Sequence, residues 1–150
     1  MSIGEAGSGP IHPVPTRRSG YRYPFSEKHH GRGGPDAARW ILTHDEEFGV
    51  FDLADFHDLS DERGWLYGIR RDPDGRLVDL GTWNQQVAEF PHTREREPWH
   101  GYPLWPLKAL GPDNRKGEKY RPSKEVFRKM EESGLLTLRE CRRLVKGDHA

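Results

Sequence analysis

The chain has 150 residues, of which 33% are hydrophobic and 32% are charged, and its net charge at pH 7 is zero. This length can bury one core but not two, and the low apolar content indicates that part of the chain is unfolded alone or covers another surface. No apolar run approaches the roughly 20 residues of a membrane span. Residues 1–10 lack the pattern of a secretion signal, so we expect a cytoplasmic protein with no membrane partner.

The charges are segregated along the chain. Residues 1–40 carry a net charge of +3, residues 41–90 carry −8 and residues 91–150 carry +5. Such a distribution either neutralises itself within the fold or gives a dipolar surface that steers a charged partner.

Glycine and proline are concentrated in residues 1–38. Such a segment loses much entropy on ordering and contributes few core contacts, so we predict a flexible N-terminal tail in front of a single domain over residues 39–150. Within the tail, Tyr21, Tyr23 and Phe25 alternate as in a strand. They either anchor the tail on the sheet edge of a partner or pack it on its own domain.

The first elements of the domain are predicted from short apolar groups. Residues 40–42 and 48–51 indicate two short strands, or a strand and a turn. Residues 52–62 predict a short helix, because Leu53, Phe56 and Leu59 recur every three residues. The acidic side of this helix, with Asp52, Asp55 and Asp58, is expected to be solvated.

A β-hairpin is predicted at about residues 64–82. Alternating apolar and polar residues flank the sequence Asp-Pro-Asp-Gly at 72–75, which suits a type I turn followed by a left-handed residue. Thr82 then predicts the cap of a helix that ends before Pro91.

A helical pair is predicted at about residues 123–146. Ser123 has the place of a cap for the first helix and Gly134 that of its end, and Thr137 and Glu140 have capping-box spacing at the start of the second. Together with the hairpin, this pair predicts an α+β fold with a small antiparallel sheet.

The second helix of the pair separates two faces. At about 100° per residue, the apolar face contains Leu138, Cys141, Leu144 and Val145, and the lone thiol there is expected to be inert. The opposite face contains Arg139, Arg142, Arg143 and Lys146. A uniformly basic face is typical of phosphate binding, and the helix, glycine turn and basic helix resemble a helix-turn-helix in outline. The alternative is a solvated face that pairs with Glu131, Glu132 or the acidic middle of the chain.

Residues 98–107 form a segment rich in proline and aromatic residues. Its prolines forbid a continuous helix, and each of its large rings hides roughly 150–250 Å² when buried. The ring-bearing residues are Trp99, His100, Tyr102 and Trp105. They either complete the core or form a shelf for a protein or for stacked bases. We expect Trp105, which lies close to two leucines, in the core, and Trp99 or His100 nearer the surface.

These features predict a non-catalytic binding or accessory protein of a larger assembly, with a protein partner and with nucleic acid as a second candidate through the basic helix face. No catalytic residue, cofactor or metal site is predicted, since no recognised ligand spacing is present. The alternative is a metal- or histidine-dependent nuclease or related hydrolase. Its candidate residues are His44, Asp45, Asp52, Asp55, His57 and His100. Their convergence in one pocket would favour the enzyme, and scattered positions would favour binding.

Overall fold

A computed structural model of the protein describes residues 8–26, 39–92, 99–104 and 122–150. These residues form an α+β fold, as predicted. Its elements are β1 (Ser8–Ile11), β2 (Pro24–Ser26), α1 (His44–Phe56), β3 (Leu66–Gly68), β4 (Ala88–Phe90), β5 (Tyr102–Pro103), α2 (Lys124–Glu132) and α3 (Leu138–Val145). The strands pair antiparallel in two small sheets, β1-β2 and β3-β4-β5. In this part of the chain, no helix has the length and apolar character that a membrane crossing needs.

Two clusters of buried side chains hold the elements together. The first lies between residues 8–26, α1 and the larger sheet, and its most deeply buried rings are those of Tyr23, Phe51, Phe90 and Trp99. The second packs α2 and α3 on the larger sheet through side chains such as Tyr67, Ile69 and Phe127. Burial of apolar area of this kind is the main favourable contribution to folding.

Residues 8–26 are part of the packed structure. Tyr23 and Phe25 belong to the first buried cluster, and Tyr21 packs against its edge. This arrangement is the second of the two alternatives for these rings, in which the segment packs on its own domain. Residues 1–7 and 27–38 lie outside the described residues, so a flexible tail there stays a prediction.

Helix α1 differs from the prediction. It begins at His44 because Thr43 and Glu46 form a capping box, in which Thr43 Oγ1 accepts from Glu46 N at 3.1 Å and Glu46 Oε1 accepts from Thr43 N at 2.9 Å. Each bond satisfies a backbone donor that the helix leaves open. The strand predicted at residues 48–51 was therefore wrong. The helix predicted over residues 52–62 is confirmed for residues 52–56 only, because α1 ends at Phe56.

The predicted hairpin turn is present. Gly75 has φ +84° and donates from its N–H to Asp72 O at 2.9 Å, and Val78 N donates to Arg70 O at 2.9 Å. Beyond this turn, β3 pairs with β4, with Leu66 opposite Phe90.

The helix predicted after Thr82 was wrong. Residues 88–90 are the central strand β4, which is buried and hydrogen-bonded on both sides, to β3 and to β5. Pairing with two neighbours overrides the local helical signal.

The C-terminal helical pair is confirmed. Ser123 Oγ accepts from Val126 N at 3.4 Å at the start of α2, and Gly134, with φ +77°, follows its end. At the start of α3, Thr137 and Glu140 form the predicted capping box, with bonds of 2.8 and 3.1 Å.

Candidate nucleic-acid interface

An ion pair links helix α3 to the residues at the hairpin turn. The Arg71 guanidinium contacts both carboxylate oxygens of Glu140, and its Nε donates to Leu135 O at 3.0 Å. The hydrogen bonds from Arg71 lower the pKa of Glu140, so this carboxylate stays charged at neutral pH. Because Glu140 also closes the capping box with Thr137, the hairpin turn and the first turn of α3 share one carboxylate.

The inner side of α3 is held by apolar packing and by one thiol. Leu144 is buried in the second cluster, and Cys141 Sγ lies 3.6 Å from Phe127 O, to which it can donate. Burial raises the pKa of the Cys141 thiol, which keeps it protonated at neutral pH. Leu138 was predicted on this side, and that was wrong: its side chain is 52% exposed.

The outer side of α3 carries the predicted cations. All four side chains, those of Arg139, Arg142, Arg143 and Lys146, are exposed. Their spacing of three and four residues places them next to one another on the helix surface. With Leu138 and Asp148 they line a shallow depression of about 550 Å³. We call this surface the α3 basic face.

Within the described residues, Arg139, Arg142 and Lys146 form no ion pair. Glu132, an acid predicted as an alternative partner, is instead bound by Arg128 at 2.7 Å, and Glu131 forms no ion pair with these cations. The charge of the α3 basic face is therefore not neutralised by the nearby helix α2. Arg142 also lies in the last turn of α3, where a cation stabilises the helix end.

The residues after α3 fold back beside this face. Asp148 N donates to Arg143 O at 2.9 Å, and Arg143 Nε donates to His149 O at 3.0 Å. The His149 ring lies 2.7 Å from Asp79 Oδ1, measured from Nε2. Asp148 was not predicted as part of the α3 basic face. The only local signal for its position was Gly147, which follows α3 with φ +83° and reverses the chain.

The other predicted binding residues are largely used inside the chain. Trp99 is 1% exposed and packs against Tyr21 and Phe51, with ring centroids 5.0 and 5.3 Å away, so it belongs to the core. Of Trp99 and His100, one of which was expected nearer the surface, His100 is the less buried. His100 and Tyr102 are half-buried, with their rings 6.4 Å apart. Trp105 lies outside the described residues. Tyr23 and Phe25 are buried, as described above, so their rings face the core and not a partner.

A buried cluster in the larger sheet was not predicted. The Tyr67 hydroxyl lies 2.8 Å from Asp61 Oδ2 and 2.8 Å from Glu89 Oε2, and Tyr102 donates to the other oxygen of Glu89. A phenol has one proton and can donate to only one carboxylate. The second contact is a hydrogen bond only if one of the two carboxylates carries a proton.

The electrostatics of this cluster agree with that proton. Burial raises the pKa of Glu89, and it raises the pKa of Tyr67 as well. Burial alone would also raise the pKa of Asp61, but hydrogen bonds from Arg63 and Tyr67 lower it. Of the two carboxylates, Glu89 therefore holds a proton more readily than Asp61.

The residues named for the alternative enzyme contact other parts of the chain. His44 stacks on Phe25 at 4.0 Å and His57 packs on Phe56. Asp52 and Asp55 are buried against residues 17–19, so the solvated acidic face predicted for them was wrong. In the four ranges that the structure covers, no group of three or more His, Cys, Asp or Glu residues could hold a metal ion.

Comparison of the chain with protein-family models, with curated proteins and with solved structures finds no match.

Proposed function

We propose that this chain is a non-catalytic binding protein that contacts the phosphates of nucleic acid through the α3 basic face. The observation that carries the proposal is the set of exposed cations on a fixed helix, of which Arg139, Arg142 and Lys146 have no ion-pair partner among the described residues. Exposed cations keep their hydration until an anion arrives, and they attract it over about one Debye length.

The spacing of the cations suits a phosphate chain. At 1.5 Å rise per residue, residues 139 to 146 span about 10 Å along α3, a distance over which one strand of a duplex carries about three phosphates. A single small anion would use only part of this row.

We place the protein in the cytoplasm as an accessory subunit of a larger assembly with a further protein partner. The support for this part is compositional: a low apolar content and a segment rich in glycine and proline at residues 1–38.

The test is a double charge reversal, Arg139→Glu with Arg142→Glu. Arg143 is left in place because it holds His149. Binding of a fluorescein-labelled DNA oligonucleotide is measured by anisotropy at several salt concentrations. The wild type is expected to bind at low salt and to weaken as salt rises, since each phosphate contact releases counterions. The double variant is expected to bind at least about 10-fold more weakly, because two contacts are lost and two repulsions are added.

The matched control reverses two exposed cations elsewhere, Arg76→Glu with Lys124→Glu. It changes the net charge equally and should keep most of the affinity. Equal losses in the two double variants would mean that net charge alone governs binding. No binding by the wild type at low salt would remove the nucleic-acid function and leave protein recognition.

A further inference from the structure

A histidine lies at the border of the α3 basic face. The side chain of His149 is 56% exposed, and its Nε2 lies 2.7 Å from Asp79 Oδ1. The backbone carbonyl of His149 accepts from Arg143 Nε at 3.0 Å, and Arg143 is one of the cations of the face. His149 therefore joins an acid of the hairpin segment to a cation of α3.

The segment that carries His149 is held on both sides of the ring. Before it, Asp148 N donates to Arg143 O at 2.9 Å. After it, the Ala150 backbone makes two hydrogen bonds to the Gln86 side-chain amide, of 2.7 and 3.0 Å. Because the segment is already ordered, a ligand that contacts the ring pays little further conformational entropy.

The contact with Asp79 fixes the tautomer of the neutral ring. A carboxylate only accepts hydrogen bonds, so the proton of the neutral imidazole lies on Nε2, and Nδ1 carries a lone pair. Within the part of the chain that the structure describes, Nδ1 of His149 has no hydrogen-bond partner. An ionised phosphodiester also offers only acceptors, so the neutral ring cannot bind it through Nδ1.

A second proton changes what the ring can bind. In the imidazolium form both nitrogens donate, so Nε2 keeps its bond to Asp79 while Nδ1 gains a hydrogen for an anion. The net charge of the His149 and Asp79 pair changes from negative to neutral at the same time. Both changes favour a phosphate at this border of the face.

We infer that His149 is a further phosphate ligand of the α3 basic face and that it acts only when its ring is protonated, so that nucleic-acid binding strengthens as the pH falls. This inference rests on the proposed function and adds a regulation to it. Histidine is the side chain whose charge ordinarily changes between pH 5 and pH 8.

The charged groups around His149 come from the hairpin segment and from the residues of the face. They are the acids Asp79 and Asp148 and the cations Arg143 and Lys146. A bound phosphate adds negative charge to this set, which favours the imidazolium form. Protonation and phosphate binding therefore promote each other, as linkage requires.

The experiment measures binding of one DNA strand by anisotropy from pH 5.5 to pH 8 at constant low salt. The strand carries a rhodamine label, because fluorescein itself titrates in this range. The wild type is compared with His149→Gln, which keeps a hydrogen-bonding side chain but cannot gain a proton. His57→Gln is the matched control, since His57 follows α1 and packs on Phe56. Thermal melting at each pH checks that every variant is folded.

The wild type is expected to bind about 2- to 5-fold more tightly at pH 5.5 than at pH 8, the gain that one exposed charge pair gives. His149→Gln should lose most of this difference and should bind like the wild type at pH 8, where a histidine ring is ordinarily neutral. His57→Gln should keep the pH dependence of the wild type.

Two results would overturn the inference and leave the proposed function standing. One is wild-type binding that does not change with pH. The other is a pH dependence that His149→Gln retains in full. If the wild type binds no DNA at low salt at any of these pH values, both the inference and the proposed function fail.

Discussion

The two helices α1 and α3 both carry a row of like charges, but the molecule uses the rows in opposite ways. On α1, Asp52 and Asp55 are covered by residues 17–19, with Arg17 Nε 2.5 Å from Asp52 Oδ2. On α3, Arg139, Arg142 and Lys146 stay exposed, without ion-pair partners among the described residues. A row of charge in a sequence is therefore not evidence of binding until the structure shows whether the fold has already paired it.

The cost of burial explains the difference. Asp55 is almost fully covered, and its two oxygens accept from Ser19 N at 2.9 Å and Ser19 Oγ at 2.6 Å, with Arg18 at 3.9 Å. Charge-assisted bonds in a covered site are strong and fix geometry. The cations of α3 pay no desolvation cost in the free protein, so an incoming anion can pair with them.

The largest effect is expected from Tyr23→Ala, which tests whether residues 8–26, the segment that covers the α1 acids, belong to the folded core. Tyr23 is fully buried and its hydroxyl donates to Glu47, so we expect the free energy of unfolding to fall by about 3–5 kcal/mol. Urea denaturation measures this loss. The control Arg139→Ala, on the exposed row, should stay within about 0.5 kcal/mol of wild type. A Tyr23→Ala protein with the wild-type midpoint would mean that residues 8–26 do not belong to the folded core.

A smaller effect is expected from Asp55→Asn. The change removes a charge that accepts two bonds from Ser19, and it should cost about 1–3 kcal/mol. It should also make residues 8–26 more accessible to protease. Asp45→Asn is the control, because the Asp45 side chain is 92% exposed and its pair with His12 is worth little. Equal stabilities for the two variants would contradict the claim that burial gives the α1 acids their role.

The smallest expected effect is a pH dependence of stability at Glu89. Burial favours the protonated form of this acid, whereas Asp55 accepts hydrogen bonds from Ser19. Because the pKa of Glu89 is raised above its ordinary value of 4.5, its folded-state advantage is fully present below about pH 4.5 and is lost as the pH rises through the folded-state pKa. Glutamine mimics the protonated acid at every pH. The stability of the wild type relative to Glu89→Gln should therefore fall between pH 4 and pH 8, as urea denaturation at each pH would show. A difference that is constant or rises with pH would contradict a raised pKa of Glu89.

Local signals in the sequence predicted the elements whose hydrogen bonds are local. The capping box of Thr137 and Glu140, the turn at residues 72–75 and the basic face of α3 all depend on residues close in the chain. Thr43 and Glu46 form a capping box of the same kind. The apolar residues at 48–51 were interpreted as a strand, so the start of α1 was not predicted.

Features that depend on distant residues could not be predicted in this way. Strand β4 exists because β3 and β5 pair with it from both sides. Burial of Asp52 and Asp55 depends on residues more than thirty positions earlier in the chain, such as Ser19. Residues 82–87 were predicted as part of a helix, whereas the chain turns there, with Asn84 N donating to Gly81 O at 3.2 Å. The aromatic segment at residues 98–107 drew attention by its composition, yet Trp99 belongs to the core.

The carboxylate of Glu140 makes two contacts: it completes the capping box of α3, and it pairs with the guanidinium of Arg71. We therefore expect positions 71 and 140 to change together in evolution. A change at Arg71 alone leaves the carboxylate without its cation, and a change at Glu140 alone removes the charged acceptor of the guanidinium and the half of the capping box that accepts from Thr137 N. Sequences that diverge from this one should therefore replace the pair together or keep it, even where the rest of the hairpin has drifted, and the orientation of the α3 basic face should persist with it.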